Sequence, residues 1–323
     1  GGIHLELTKI LQLTPEYRDY VWGGRRLRES GERTAEAWVI FERNLVANGP
    51  HAGRTLTDLT QEYGEALIGT HSAQHTGNRF PLLIKLLDCA AWLSLQVHPN
   101  DEQAKLLEGP DHFGKTEAWH IIEADDHAQL IAGMLTGTDK PMLQMAIRNN
   151  SLVERAQTHV VRAGDSIFMP PGTIHALGPG LLLYEVQQTS NITYRVYDWG
   201  RPETPTRRLH IEKSLEVVNL QSSVEVLPLH PSPNSSVTGL ITCPYFTLEH
   251  IRGDSQPIQL STRGSSFHAL TVITGTARIQ AGTESVKLGR FESALIPANC
   301  GDYSIQPIGE CALLKSSVDP YPG

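Results

Sequence analysis

Residues 164–201 read GDSIFMPPGTIHALGPGLLLYEVQQTSNITYRVYDWGR, and this stretch decides the fold that the sequence predicts. Pro170, Pro171 and Gly172 predict a tight turn, because proline presets φ and glycine tolerates positive φ. We expect a strand on either side of the turn, and the second strand carries His175. A histidine held at such a corner is either a metal ligand or a core residue bonded to the backbone. Taken alone, it is more readily explained as a core residue.

A second cluster of polar residues lies upstream and makes the metal interpretation the stronger one. The segment Leu93 to Asp101 reads LSLQVHPND and predicts a strand. Successive side chains on a strand point to opposite faces, so Ser94, Gln96 and His98 are expected to share one face.

Glu117 lies in the segment GKTEAWHII, Gly114 to Ile122, and is expected on another strand. Period-two alternation places its carboxylate on the same face as Trp119 and Ile121. An unpaired carboxylate in such an apolar setting costs several kcal/mol, which a bound cation would offset. The sequence therefore predicts a cation next to Glu117.

The two clusters together form a candidate metal site. Gln96, His98, Glu117 and His175 offer two imidazole nitrogens, a carboxylate and an amide oxygen, which suits a divalent ion such as Zn²⁺ with a position left for water or substrate. Neither cluster contains cysteine, so a closed structural zinc site is not expected.

The rest of the chain has the pattern of a mostly β protein. The run LLLY at 181–184 predicts a buried strand that carries Glu185. Helices are expected only as short segments, at 57–68 with Thr57 as the N-cap, and at 101–107, 141–148, 151–156 and 210–220.

Domain organisation follows from the second half of the chain. Residues 221–236 are rich in Ser, Pro and Asn and predict a linker, after which strands recur at spacings of about ten residues. We therefore predict an N-terminal domain, residues 1–225, with a helical excursion near 139–156, and a C-terminal domain, residues 226–323. The segment LGRFESALIPANCGDYSI at 288–305 has the strand and turn of the first domain's histidine motif without a histidine, so the C-terminal domain is predicted to be metal-free.

Composition excludes several classes of function. The net charge of −8 and a pI near 6.0 argue against nucleic-acid binding, so an anionic substrate would need a local basic pocket. No apolar run reaches the length of about 18 residues that a membrane helix needs, and no basic-then-apolar leader is present, so we expect a cytoplasmic protein without a membrane partner. Four scattered cysteines are then expected to be free thiols.

Several strings in the sequence are similar to those of a known family. The strings LSLQVHPND, GKTEAW, GDSIFMPPGTIHALG and ITYRVYDWGR, with YRDYVWGG, AEAWVI and RFPLLIKLLD before them, resemble the type I mannose-6-phosphate isomerases (phosphomannose isomerases) of the cupin superfamily, in particular the short bacterial form. The resemblance covers roughly the first two thirds of the chain, and its motifs keep their order. It implies two cupin-type jelly-roll domains and a Zn²⁺-dependent enzyme, with one ion per chain, that interconverts mannose 6-phosphate and fructose 6-phosphate through an enediol.

The resemblance also implies roles for individual residues. His98, Glu117 and His175 match the metal ligands of the short form, and Gln96 matches a fourth ligand of the longer members. Further matches are the active-site arginine at Arg195, an acidic pocket residue at Glu185, a serine associated with the substrate phosphate at Ser94, and Arg201 where longer members carry a lysine. From strand parity we add Lys115, which faces the side of Glu117 and becomes an acid/base candidate if burial or the ion lowers its pKa.

Alternatives to this function stay open at the level of sequence. The motifs determine the type of reaction better than the sugar, so another sugar or sugar phosphate is possible as the substrate. Two histidines and one carboxylate also hold Fe(II) in cupin-type oxygenases. A non-catalytic sugar-sensing module is a third interpretation. The sequence makes no prediction of the oligomeric state.

Overall fold

The computed structural model of the chain describes residues 4–322, and most of its regular structure is β-strand. The strands up to the middle of the chain are β1 (Leu11–Thr14), β2 (Glu16–Arg18), β3 (Glu36–Ile40), β4 (Leu45–Val46), β5 (Leu82–Cys89), β6 (Leu95–Val97), β7 (Glu117–Ala124), β8 (Gln129–Met134), β9 (Ala156–Val160) and β10 (Ser166–Met169). The later strands are β11 (His175–Leu177), β12 (Leu181–Gln188), β13 (Tyr194–Tyr197), β14 (Val226–Leu227), β15 (Val237–Thr242), β16 (Thr247–Gly253), β17 (Ile258–Ser261), β18 (His268–Ala281), β19 (Glu284–Leu288), β20 (Ser293–Ile296) and β21 (Asp302–Ser317). The prediction of a mostly β protein is confirmed.

The helices are short and connect the strands. They are α1 (Leu56–Tyr63), α2 (Glu65–Ile68), α3 (Thr70–Thr76), α4 (Asp101–Glu108), α5 (Lys140–Arg148) and α6 (Ile211–Val217), with 3₁₀ turns at Gly49–His51 and Leu152–Arg155. In the described residues no helix is long and apolar enough to cross a membrane.

Two predicted helices need correction. The segment predicted at 57–68 starts earlier and is divided, because Thr55 accepts a hydrogen bond from the backbone of Asp58 as the N-cap and Gly64, at φ +53°, ends α1. Thr57 instead donates its hydroxyl to the carbonyl of Glu42. The segment predicted at 151–156 forms only a 3₁₀ turn. The helix predicted at 101–107 is confirmed as α4, which begins with a capping box formed by Asn100.

The chain forms two compact units, and each unit is discontinuous in sequence. One unit contains the chain up to Tyr17, Ala37–Lys85 and everything from His230 onward, and the other contains Arg18–Glu36 and Leu86–Leu229. We call the second one the central unit. The boundary at residues 225 and 226 that we derived from the sequence stays a prediction.

The unit that includes the C-terminal part of the chain contains a nine-stranded sheet. Its strand order is β15-β16-β21-β18-β20-β1-β4, with β17 paired to β21 and β19 paired to β18. The long strands β18 and β21 bend at two register shifts, and their apolar side chains form a core with those of β16, β19 and β20. His268 is buried there and bonds to the hydroxyl of Tyr303 at 2.6 Å.

The central unit positions the candidate site. A five-stranded sheet has the order β13-β6-β11-β8-β9, and β7 lies in a second sheet, where it pairs with β10 on one side and β12 on the other. Two apolar cores stabilise this unit, one around Trp119, Ile121 and Leu183 and the other around Leu95 and Val196. Burying such a side chain contributes about 1.5–3 kcal/mol to the free energy of unfolding. The packed cores therefore hold the strands, and the polar residues that alternate with the apolar ones, in fixed positions.

Candidate metal centre and active site

His98, Glu117 and His175 lie together in the central unit. His98 follows the end of β6, Glu117 begins β7 and His175 begins β11. One oxygen of Glu117 lies 3.0 Å from Nε2 of His98, and the other lies 3.8 Å from Nε2 of His175. All three side chains are buried, with at most 2% of each residue exposed. The sequence therefore identified three residues that fold into one cluster.

The second nitrogen of each imidazole is held by the backbone. Nδ1 of His98 donates to the carbonyl of Ile192 at 3.0 Å, and Nδ1 of His175 donates to the carbonyl of Thr173 at 2.8 Å. A proton on Nδ1 leaves a lone pair on Nε2, which points into the cluster. Such outer hydrogen bonds orient the imidazole rings of metal sites.

The turn predicted before His175 supports this arrangement. Gly172 has φ +85°, and a Cβ at this position would lie 3.0 Å from the carbonyl oxygen of Val217. Its backbone N–H donates to the carbonyl of His98 at 2.9 Å, so the turn connects the two histidine segments directly. Glycine is required here both for its φ and for the close approach of the backbone.

The protonation states of the cluster suit a cation. Burial and the nearby charge of Lys115 lower the pKa of His98 to about 3, and burial also lowers the pKa of His175. Burial alone would raise the pKa of Glu117, but it lies well below its ordinary value, and the positive charge of Lys115, 3.4 Å away, contributes to this lowering. Both imidazoles are therefore neutral and the carboxylate is charged at neutral pH, as metal ligands must be.

Among the His, Cys, Asp and Glu side chains of residues 4–322, these three form a group that fits a metal ion. Their ligand atoms all lie within 4.8 Å of one another. Two imidazole nitrogens and one carboxylate oxygen are the protein ligands of many catalytic zinc sites, in which the remaining position is left for water or substrate. The donor set thus fits a divalent cation.

Gln96 lies in the same sheet, beside the cluster. It pairs with His175 on β11 at one side and with Arg195 on β13 at the other, so these three side chains share one face of the five-stranded sheet. Gln96 is half-buried, whereas the three ligand candidates are buried. The register places its amide next to His175, and its role as a fourth ligand stays a prediction.

Arg195 is held by three separate contacts. Its Nε donates to the hydroxyl of Ser94 at 3.1 Å, its Nη1 donates to the carbonyl of Arg208 at 3.0 Å, and its backbone N–H donates to Nδ1 of His210 at 3.2 Å. Nη2 makes no hydrogen bond within the described part of the chain. The guanidinium is therefore fixed on one edge and available to an anionic group on the other.

A second carboxylate, Glu185, is connected to the cluster through Trp119. The indole N–H of Trp119 lies 2.9 Å from an oxygen of Glu185 and 3.2 Å from an oxygen of Glu117. Residue Glu185 pairs with Trp119 across β12 and β7, which brings both carboxylates to the same face. The indole N–H of Trp119 is thus shared between the carboxylates of Glu117 and Glu185.

Lys115 reaches the cluster although it lies before β7. Its ammonium is 3.4 Å from an oxygen of Glu117 and 3.4 Å from the hydroxyl of Thr193, and the residue is buried. The predicted proximity of Lys115 and Glu117 is present in the structure.

Arg201 is paired with Asp198. Its Nη1 is 3.2 Å from Asp198, whose carboxylate also receives two hydrogen bonds from Arg207, at 2.7 and 3.0 Å. Within residues 4–322, Arg201 makes no hydrogen bond or ion pair with the other predicted site residues.

Sequence reasoning missed several residues of this site. The partners His210, Asp198 and Arg207 belong to the segment after β13, where no periodic pattern indicates that the chain returns to Arg195. The carbonyls of Ile192 and Thr173 carry no side-chain signal at all. Trp119 was placed correctly on the face of Glu117, but its N–H had no predicted partner.

Comparison with known proteins identifies the family to which the chain belongs. The model for the family "Phosphomannose isomerase type I, catalytic domain" matches residues 10–117, and that for "Mannose-6-phosphate isomerase, cupin domain" matches residues 236–318. The mannose-6-phosphate isomerase ManA of Bacillus subtilis is 34% identical over 94% of this chain and 98% of its own length. The mannose-6-phosphate isomerase of Streptococcus mutans is 33% identical over 90% of this chain and 93% of its own length.

Solved structures agree with these matches. The crystal structure of the mannose 6-phosphate isomerase from Bacillus subtilis has a TM-score of 0.85 at 30% identity and covers 96% of this chain and 99% of its own. A zinc-bound mannose 6-phosphate isomerase has a TM-score of 0.73 at 16% identity, covering 95% of this chain and 99% of its own, and so shares the fold. The predicted cupin-type architecture is confirmed. Since close relatives match it over nearly its whole length, the chain belongs to the type I mannose-6-phosphate isomerase family and is an enzyme.

Proposed function

We propose that this enzyme interconverts mannose 6-phosphate and fructose 6-phosphate with one Zn²⁺ per chain, held by His98, Glu117 and His175. The observation that carries the proposal is the buried cluster of two neutral imidazoles and one carboxylate, with ligand atoms within 4.8 Å, in a member of this family. Gln96 is the proposed fourth ligand because its register places it beside His175. When bound, a divalent cation would polarise a sugar oxygen and orient the opened sugar.

The reaction requires a proton to leave C2 of the aldose and return at C1, through an enediol. Such a proton is weakly acidic, so a positioned base is needed. Lys115 is the proposed acid/base group, since its amine is buried beside the cluster, 3.4 Å from an oxygen of Glu117. Glu185 is the proposed second acidic group of the pocket, oriented by the indole N–H of Trp119.

Negative charge on the substrate requires donors. Arg195 is proposed to stabilise this charge, because its Nε and Nη1 are held by Ser94 and Arg208 while Nη2 has no partner in the described residues. A fixed donor costs no reorganisation during the reaction. Ser94 and Arg201 are proposed to bind at the phosphate end of the substrate. Ser94 contacts Arg195 directly, and Arg201 adds positive charge in the segment that follows it.

Metal analysis combined with an isomerisation assay tests the proposal. We expect the purified enzyme to contain about one zinc per chain, to convert mannose 6-phosphate, and to lose this activity on chelation and regain it with added Zn²⁺. His175→Ala should abolish both stoichiometric zinc and activity. His268→Ala is the matched control, because it also removes a buried histidine, one that belongs to the other unit and bonds to Tyr303.

Each contrary result identifies the part that fails. Stoichiometric zinc in His175→Ala would show that the ligand set is wrong. Bound iron with oxygen consumption and no isomerisation would favour an oxygenase, whereas turnover of another sugar phosphate in preference to mannose 6-phosphate would change the substrate. Arg195→Lys should lower kcat strongly, since the two-pronged guanidinium is lost, and unchanged kinetics would remove Arg195 from the mechanism.

A further inference from the structure

The segment between β13 and α6, residues 198–210, leaves Arg195 and then returns to it, and we call it the return loop. We propose that His210 is a positioning residue for the isomerase reaction, an inference that rests on the proposed function and deepens it. Its neutral imidazole connects the end of the return loop to Arg195 and so holds the arginine in position for the sugar phosphate. His210 does not touch the substrate in this scheme and acts through Arg195.

The first argument is the pair of hydrogen bonds between the two residues. The backbone N–H of Arg195 donates to Nδ1 of His210 at 3.2 Å, and the backbone N–H of His210 donates to the carbonyl of Arg195 at 2.8 Å. β13 is the edge strand of its sheet, so these groups of Arg195 would otherwise have no strand partner. His210 thus takes the place of a neighbouring strand at this one residue.

The second argument is the register of Arg195 on the other side. Arg195 pairs with Gln96 on β6, but its N–H and C=O point outward to His210, so the two residues form a non-hydrogen-bonded pair. In such pairs the Cα atoms are only about 4.5 Å apart and the side chains approach each other most closely. The contact with His210 therefore helps to keep the side chain of Arg195 next to Gln96, which in turn pairs with His175.

The third argument is that the return loop also holds the guanidinium. The carbonyl of Arg208, two residues before His210, accepts the hydrogen bond from Nη1 of Arg195 at 3.0 Å. The loop is stabilised internally by the ion pair of Asp198 with Arg207 and by a hydrogen bond from the backbone of Leu209 to Glu203. A change at His210 is thus transmitted to both the backbone and the side chain of Arg195.

The protonation state of His210 decides whether the contact exists. A backbone N–H can only donate, so Nδ1 must carry the lone pair and the neutral ring holds its proton on Nε2. Protonation of Nδ1 would bring two N–H groups face to face and break the bond. The charged groups that face the ring are Arg195, Lys213 on α6, Glu108 on α4 and Glu203 in the loop, and the ring of Tyr194 lies 6.2 Å away.

The sign of the pH effect follows from these neighbours. Burial, Arg195 and Lys213 lower the pKa of His210 below its ordinary value of 6.5, against the opposing effect of Glu108 and Glu203. The folded enzyme therefore keeps the neutral ring at neutral pH. The stability that the contact with Arg195 provides is fully present above the ordinary pKa of His210, which applies to the unfolded chain. It is lost as the pH falls through the lower pKa that His210 has in the folded enzyme.

Two substitutions at His210 separate positioning from simple stability. His210→Ala removes the acceptor, whereas His210→Asn places an amide oxygen where Nδ1 lies and cannot titrate. We expect His210→Ala to lower kcat/KM for mannose 6-phosphate about tenfold at neutral pH, as for the loss of one hydrogen bond, with zinc content unchanged. His210→Asn should keep kcat/KM within about twofold of the wild-type value. It should also retain activity at the acidic pH at which protonation of His210 inactivates the wild type. His112→Ala, which changes an exposed histidine of the central unit, is the control.

Hydrogen exchange of the peptide that contains residues 194–197 provides a readout that does not depend on turnover. Exchange at Arg195 should be faster in His210→Ala than in His210→Asn or the wild type. If the wild type shows no isomerase activity, the proposed function fails, and the exchange data still test the contact. Equal kcat/KM and equal acid profiles in His210→Ala and His210→Asn, or wild-type exchange in His210→Ala, would overturn the positioning role.

Discussion

Replacing Trp119 by phenylalanine removes a single N–H that two buried carboxylates share. The ring stays in the apolar core with Ile121 and Leu183, so most of the packing is preserved. Glu117 loses the donor at 3.2 Å, and Glu185 loses the one at 2.9 Å. A hydrogen bond to a charged group contributes about 1.5–3 kcal/mol, and because one proton serves both acids we expect a loss of about 2 kcal/mol in the free energy of unfolding.

Metal affinity is affected in two opposite ways. Without the indole N–H, the oxygen of Glu117 is more basic and would bind a cation more strongly. Its carboxylate is also less well oriented, which weakens binding. Loss of an outer hydrogen-bond partner usually lowers metal affinity by about 10–100-fold, so the orientation effect dominates. This range corresponds to about 1.4–2.8 kcal/mol, and we expect Trp119→Phe to bind Zn²⁺ more weakly by that amount.

Competition with a chromophoric chelator measures the zinc Kd of the purified enzymes directly. Trp22→Phe is the matched control, because Trp22 is buried in the same core and its indole makes no hydrogen bond within residues 4–322. The control should lose stability through packing and keep its zinc Kd. If Trp119→Phe and Trp22→Phe bind zinc equally well, the orientation of Glu117 by the indole is refuted.

Three further predictions concern stability. Removing the metal with a chelator should lower the Tm, and Zn²⁺ at about 1,000 times its Kd should restore about 4 kcal/mol; an unchanged Tm in calorimetry would contradict a folded-state ligand. Asp198→Asn should lower the free energy of unfolding by about 2 kcal/mol in urea titrations, since it leaves the mostly buried Arg207 without its partner. The hydrogen bond from Lys213, with that from Tyr194, lowers the pKa of Glu108 against the effect of burial, so this stability is present above the ordinary pKa of 4.5 and is lost as the pH falls through the lower, folded value. Glu108→Gln should therefore reduce the Tm at neutral pH and approach the wild type in acid, whereas a constant difference across the pH range would argue against this titration.

The sequence predicted those parts of the fold that local patterns determine. Strand alternation placed Glu117 with Trp119, and the Pro-Pro-Gly turn placed His175 at a corner, as the structure shows. The helix at 101–107 was predicted because its signals lie within a short segment, and its capping box likewise joins Asn100 and Gln103, which are only three residues apart. In α1, however, both Thr55 and Thr57 are possible caps, and only the pairing of Thr57 with Glu42, which is distant along the chain, excludes the latter.

The difference between local patterns and contacts between distant residues also explains which parts of the candidate site could be predicted. Side chains with characteristic chemistry, such as His98, can be identified from their spacing. The groups that orient them include carbonyls such as that of Ile192, which any residue type provides. The return to Arg195 by His210 depends on the closure of a loop, and loop closure leaves no periodic pattern in the sequence. The sequence therefore identifies the candidate ligands, and the folded structure is needed to identify the groups that position them.

Strands of two different sheets contribute different chemistry to the site. The five-stranded sheet provides the imidazoles of His98 and His175 and the guanidinium of Arg195, whereas β7 and β12 provide the carboxylates of Glu117 and Glu185. A cation bound between His98, His175 and Glu117 would thus join strands of both sheets, since its ligands come from each. Metal binding would then stabilise the packing of one sheet on the other and would also complete the site. For this reason chelation should increase the rate of hydrogen exchange at the ends of β6, β7 and β11 more than in β9, which provides no ligand. An equal increase in all four strands would contradict the coupling.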